Sequence, residues 1–152
     1  MKSNDAKNRT ATIRKVFNAP IKIVWEAWSN PVHLIQWWAP KGMKVDSIEH
    51  DFRVGGKWKY TMLMPDGNQF ISEGEYLEII EFNKIVTTAN FKPMTEGVEL
   101  HVFFEVDGDK TNFTFNVIHT TEEYLKQQEK MGIYNGWGSA FNRLESLVST
   151  LK

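Results

Sequence analysis

Residues 133–152 read IYNGWGSAFNRLESLVSTLK, and their apolar spacing decides the fold. Trp137, Phe141, Leu144, Val148 and Leu151 recur at steps of four, three, four and three. A helix turns about 100° per residue, so these steps lay one apolar seam along it, and Ala140 and Leu147 widen the seam. Asn142, Arg143, Glu145, Ser146, Ser149 and Thr150 fall largely on the other side. Such a helix needs a broad apolar partner surface.

That surface lies upstream, where the pattern has period two. Trp58, Tyr60 and Met62 alternate with Lys57, Lys59 and Thr61. Val98, Leu100, Val102, Phe104 and Val106 alternate with Glu99, His101, Phe103 and Glu105, and Thr111, Phe113, Phe115 and Val117 continue the pattern. Pro65-Asp66-Gly67-Asn68 and Asp107-Gly108-Asp109-Lys110 are hairpin turns, because Asp-Gly accepts the tight turn geometry. Strands are also read at 10–17, 43–52, 69–79 and 83–91. The six strands after residue 42 form an antiparallel meander. Between the first strand and the meander, Pro20 and Pro31 each open a short helix; Pro40 and Gly42 close the pair. Thr120 and Glu123 fit a capping box. The helix they open breaks near Gly132, and the long helix follows from about Tyr134.

Composition narrows the function. The absence of cysteine excludes disulfides, thiolate catalysis and cysteine-based metal sites. A net charge of −1 gives no general attraction for nucleic acid or anionic lipid. No apolar run is long enough to span a membrane, and the polar start lacks the apolar core of a secretion signal. The expectation is a cytoplasmic protein, with residues 1–9 a loose tail and residues 10–152 one domain. Aromatic residues at 13 %, six of them Trp, are the unusual feature, since large rings also wall cavities for apolar ligands.

Six stretches in order resemble one family. They are Arg14-Lys15-Val16-Phe17-Asn18-Ala19-Pro20, Val24-Trp25-Glu26-Ala27-Trp28, Trp37-Trp38-Ala39-Pro40, Phe52-Arg53-Val54-Gly55-Gly56-Lys57-Trp58, Pro65-Asp66-Gly67 and Gly136-Trp137. The chain resembles homologues of the C-terminal domain of the heat-shock-protein-90 ATPase activator, within the START-like (SRPBCC) superfamily. The resemblance implies an α+β helix-grip fold: a seven-stranded curved antiparallel sheet around the long C-terminal helix, with two short helices after the first strand. It also implies a cavity between sheet, long helix and helix pair. Members of the superfamily bind lipids, steroids, polyketides and plant hormones, and some are cyclases or hydrolases; the activator is a co-chaperone.

The candidate ligand-binding set is Trp37, Trp38, Trp58, Tyr60, Met62, Tyr76, Phe91, Phe104, Phe115, Trp137 and Phe141. Each could equally be core. Ser72 and Gly74, which share strand parity with Phe70 and Tyr76, leave room if that face is inward; Met62, Met64 and Met94 offer adaptable lining. His33, His50, His101 and His119 form no ligand-spaced pair, so no metal or other cofactor is expected. His101 reads as solvent-facing and His119 as structural. Glu75 is a buried acid only if the opposite strand face is inward. No nucleophile elbow, P-loop or dinucleotide loop is present, so no catalytic residue is assigned. The leading expectation is a binding module for a small hydrophobic or amphipathic molecule, monomeric or a homodimer, without nucleic acid. A chaperone partner and a cyclase- or hydrolase-type enzyme are the alternatives.

Overall fold

A computed structural model of the chain describes residues 6–38, 43–92 and 95–151. After a single 3-10 turn (Ala6–Arg9) the elements run β1 (Thr10–Phe17), α1 (Ile21–Ser29), α2 (Pro31–Trp38), β2 (Lys44–His50) and β3 (Lys57–Leu63). They continue with β4 (Gln69–Ile80), β5 (Lys84–Lys92), β6 (Thr95–Asp107), β7 (Lys110–Ile118), α3 (Glu122–Lys130) and α4 (Ile133–Leu151). One seven-stranded antiparallel sheet has the order β1-β7-β6-β5-β4-β3-β2, a meander whose last strand pairs with the first. β-Bulges at Val45/Ser47, Tyr76/Glu78 and Ala89/Phe91 increase the local twist and bend the strands. This is the helix-grip fold, with the sheet curved around α4.

The two helix seams meet the sheet in one aromatic core. Val24, Trp25, Ala27 and Trp28 of α1 and Leu34, Trp37 and Trp38 of α2 are buried. Phe141 of α4 lies 5.0 Å from both Phe113 and Phe115, ring centre to ring centre, and 6.4 Å from Trp28. Burying such rings supplies most of the driving force for closing the sheet on the helix. The Trp37 and Trp58 indoles, dry inside this core, donate to the Ala27 carbonyl oxygen (2.9 Å) and to Thr87 Oγ1 (2.8 Å).

Four sequence readings are corrected. The cap of α3 is Thr121, whose Oγ1 accepts from the Tyr124 N–H at 3.0 Å, and not Thr120. Val106 is 62 % exposed, although it continues the parity of buried Leu100, Val102 and Phe104. Arg9 belongs to the folded body: its Nη1 donates to the His119 carbonyl oxygen, and its own carbonyl accepts from the His119 backbone N–H at 2.9 Å. Gly74 leaves no room, since a Cβ there would collide with the Thr88 carbonyl oxygen and come within 2.8 Å of the Trp58 ring. Pro40, Gly42 and Met94 lie outside the described residues, as do residues 1–5.

Candidate functional site

The α3–α4 junction sets up the site. Gly132, with φ +89°, both ends α3 and precedes α4; its carbonyl accepts from the Gly136 N–H at 3.0 Å. That left-handed conformation suits glycine. α4 then runs down the sheet, carrying Ile133, Gly136, Trp137, Ala140 and Arg143 on one side. Opposite stand Met62, Phe70, Ser72, Phe91 and Val117 from β3, β4, β5 and β7. Trp38 of α2 closes one end; His119, Gln128 and Met131 stand at the other. Between them is a cavity of about 250 Å³. It reaches solvent beside Met131, 52 % exposed, and the exposed Gly136.

The wall is mainly aromatic and aliphatic. Trp137 meets Trp38 (5.6 Å) and Phe91 (5.5 Å) edge to face and lies tilted against Phe115 at 4.6 Å. Trp38 is held by a hydrogen bond from its Nε1 to Ser72 Oγ at 3.2 Å, with both side chains buried. This lock joins α2 to the sheet and fixes the ring that walls the cavity.

Polar groups are few. Arg143 donates from Nε to the Trp37 carbonyl oxygen and from Nη1 to Ser139 Oγ, each at 3.0 Å. Burial pulls its pKa down from the usual guanidinium value, though such a group stays charged. His119 is fully buried; burial pulls its pKa below the usual imidazole range, against carbonyls of Arg9 and Val117. Its Nδ1 faces the Arg9 carbonyl oxygen at 3.3 Å, and a carbonyl only accepts, so Nδ1 carries the hydrogen. Nε2 is then an acceptor, buried without a hydrogen-bond partner.

A second void of about 20 Å³, room for roughly one water, is lined by Trp58, Tyr60 and Tyr76 among others. Beside it His50 Nδ1 sits 2.6 Å from Tyr60 Oη and His50 Nε2 3.0 Å from the Ser29 carbonyl oxygen. The carbonyl again fixes the tautomer: Nε2 donates, and Nδ1 accepts from Tyr60. His50 thus ties the end of α1 to β3, and burial holds the Tyr60 and Tyr76 hydroxyls well above the usual phenol range.

Of the aromatic set expected to bind a ligand, Trp38, Met62, Phe91 and Trp137 line the cavity, and Trp58, Tyr60 and Tyr76 line the small void. Trp37, Phe104, Phe115 and Phe141 are buried in the core and line neither. Glu75 lies on the strand face opposite buried Ser72 and Tyr76, while Glu73 on that face pairs with Lys92 at 2.9 Å. His101 is half-buried and bonded to Glu99 at 2.9 Å. Arg143, His119 and Gln128 reach the cavity although periodicity alone put Arg143 outward and His119 in a structural role. Among the described residues no three His, Asp or Glu side chains converge to hold a metal ion, and no helix is long and apolar enough to cross a membrane.

A family model described as "Activator of Hsp90 ATPase homolog 1-like protein" matches residues 18–149. No protein of curated function matches the sequence. Among solved structures, a protein of Nitrosomonas europaea is 26 % identical with a TM-score of 0.85, over 96 % of this chain and 97 % of its own. A protein of Mycobacterium smegmatis is 25 % identical with a TM-score of 0.84, over 98 % of this chain and 96 % of its own. An AHSA1-like protein of Aeromonas hydrophila, 20 % identical with a TM-score of 0.76 over 93 % of each chain, shares the fold.

Proposed function

The chain belongs to the activator of Hsp90 ATPase homolog 1-like family, and from that premise we propose that it binds a small hydrophobic or amphipathic molecule in the cavity between sheet and α4. The observation that carries this reading is the hollow of about 250 Å³ walled by Trp38, Phe91 and Trp137. Apolar walls supply affinity by removing ligand surface from water, and a few polar groups set orientation. The volume sits just under the usual range for ligand pockets, roughly 300–1,000 Å³. The occupant is therefore a ring system or short chain, and not a two-chain lipid.

Native mass spectrometry of the purified chain, with a Trp-fluorescence screen of fatty acids, sterols and aromatic polyketides, tests it. Trp38 and Trp137 line the cavity and report on its contents. A bound species or saturable quenching is expected. No adduct and no quenching across the panel would refute the reading.

The family's description supports a second reading, partnership with a heat-shock-protein-90 chaperone. The chaperone's ATPase rate with and without this chain decides it; an unchanged rate removes it. An enzymatic use of the cavity would run through His119, the one lining side chain whose ordinary pKa lies near neutrality.

A further inference from the structure

The cavity is apolar except at a few points, and only one of them carries a formal charge. Among the described residues Arg143 is the sole charged side chain of the lining, which contains no Asp or Glu. His119 adds no second charge near neutral pH, since it is fully buried, no anion among the described residues pairs with its ring, and burial lowers its pKa below the usual imidazole range. Two other half-buried cations have carboxylate partners: Lys15 with Glu145 at 3.3 Å and Lys84 with Glu78 at 2.9 Å. Arg143 has none among the described residues.

Arg143 is nonetheless positioned. Its bonds to the Trp37 carbonyl and to Ser139 fix the plane of the guanidinium and use two of its five N–H groups. Neither partner is charged. Three N–H groups remain, both of those on Nη2 among them, in the plane in which a guanidinium meets a carboxylate. A cation held half out of water beside an apolar wall is raised in free energy, and an anion delivered by the ligand lowers it.

Resting on the binding reading above, we propose that the occupant is a small monoanion, an apolar body bearing one carboxylate, with the carboxylate on the free edge of Arg143 and the body against Trp38, Phe91 and Trp137. Along α4 the lining runs from Ile133 to Arg143, ten residues or about 15 Å. The body thus lies along the helix axis, away from Arg143 toward Gly136.

Calorimetry with two matched pairs tests this: naphthoate against naphthylmethanol, and octanoate against octanol. A charge-assisted pair is worth about tenfold or more in affinity, so the wild-type chain prefers each acid by at least that factor. Arg143→Gln removes the preference, so that each acid binds no more tightly than its alcohol; Arg143→Lys, a point charge without the planar fork, keeps part of it. In the wild type, raising salt to about 0.5 M shrinks the preference and spares the alcohols, a readout that needs no variant. An alcohol bound as tightly as its acid, or a preference that survives in Arg143→Gln, overturns the anion assignment and leaves the cavity reading standing. Binding of none of the four, nor of any member of the wider panel, overturns the cavity reading itself.

Discussion

Gly136→Ala is expected to stabilise the fold, against the ordinary rule that mutations destabilise. Gly136 sits inside α4 with no positive φ, and a Cβ added there meets nothing within 4 Å. An interior helical glycine costs about 0.8–1 kcal/mol against alanine, largely through the freedom it has when unfolded. Nothing in the empty fold offsets that cost at this position. The substitution should therefore add about 0.5–1 kcal/mol, or about 1–4 °C in Tm for a domain of this size, read by urea titration and calorimetry. Gly138→Ala, equally open but off the cavity lining, should match it. Gly132→Ala should do the reverse, because φ +89° strains any L side chain. Gly136→Leu separates stability from function. Leucine is nearly as good a helix former as alanine, and its side chain leans back over the preceding turn, across the mouth beside Gly132. That variant should keep its stability and lose binding. A fall in stability for Gly136→Ala would refute the reasoning, since it would mean that the space beside residue 136 is already occupied.

Two further predictions follow from buried polar groups. Thr87→Val keeps the shape but removes the acceptor of the Trp58 Nε1–H and the donor to the Glu75 carbonyl oxygen at 3.0 Å, so it should cost about 1–3 kcal/mol in urea unfolding; a loss below about 0.5 kcal/mol would mean that water replaces the bond. Stability should also fall as the pH drops below 6.5. Burial holds the pKa of folded His50 and His119 below the ordinary value of 6.5, so there the unfolded chain takes up protons that the folded chain refuses. The loss begins at 6.5 and levels off once pH is under the folded values. Glu73, held below 4.5 by its hydrogen bond to Lys92, contributes only at lower pH. Urea midpoints from pH 8 to 5 should show the decline in the wild type and a shallower one in His50→Gln/His119→Gln; equal slopes would clear the imidazoles.

The elements were legible because each rests on a strong local period or a turn residue with a mechanism. β1 falls at the residues read for it, 10–17, α2 opens at Pro31 as read, and α4 follows the break at Gly132. The site was less legible, for two reasons. Periodicity sorts residues into inward and outward but does not distinguish a filled interior from a hollow one, so Phe115 and Phe141 read like Phe91 and Trp137. Arg143 shows the second limit: it lies about 60° around the helix from Ala140, on the flank of the seam, where a long side chain reaches the cavity. A polar residue there looks outward in a pattern of apolar steps. His119 and Gln128 have no pattern at all; only the tertiary fold buries them.

One signal in the sequence does mark the hollow. Read backward along α4 in steps of four, the row is Val148, Leu144, Ala140, Gly136, Gly132. Side chains shrink toward the start of the helix. At the large end Leu144 and Val148 are sealed against the sheet at 0 % and 1 % exposure; at the small end the same row lines the cavity. Across the gap the sheet presents Ser72, held by Trp38 and so unable to be replaced by a larger ring without losing that bond. The gap between sheet and helix is thus specified by residue size. Its energetics argue the same way. A sealed, dry hollow costs roughly 24 cal/mol per Å³, which over about 250 Å³ comes to about 6 kcal/mol, comparable with the entire net stability of many domains, about 5–15 kcal/mol. A chain could not carry that cost in a closed core. Opening the small end to solvent beside Gly136 relieves that cost, and on the proposed binding reading a ligand against the Trp38, Phe91 and Trp137 wall would recover the apolar burial that the small residues of α4 leave unmade.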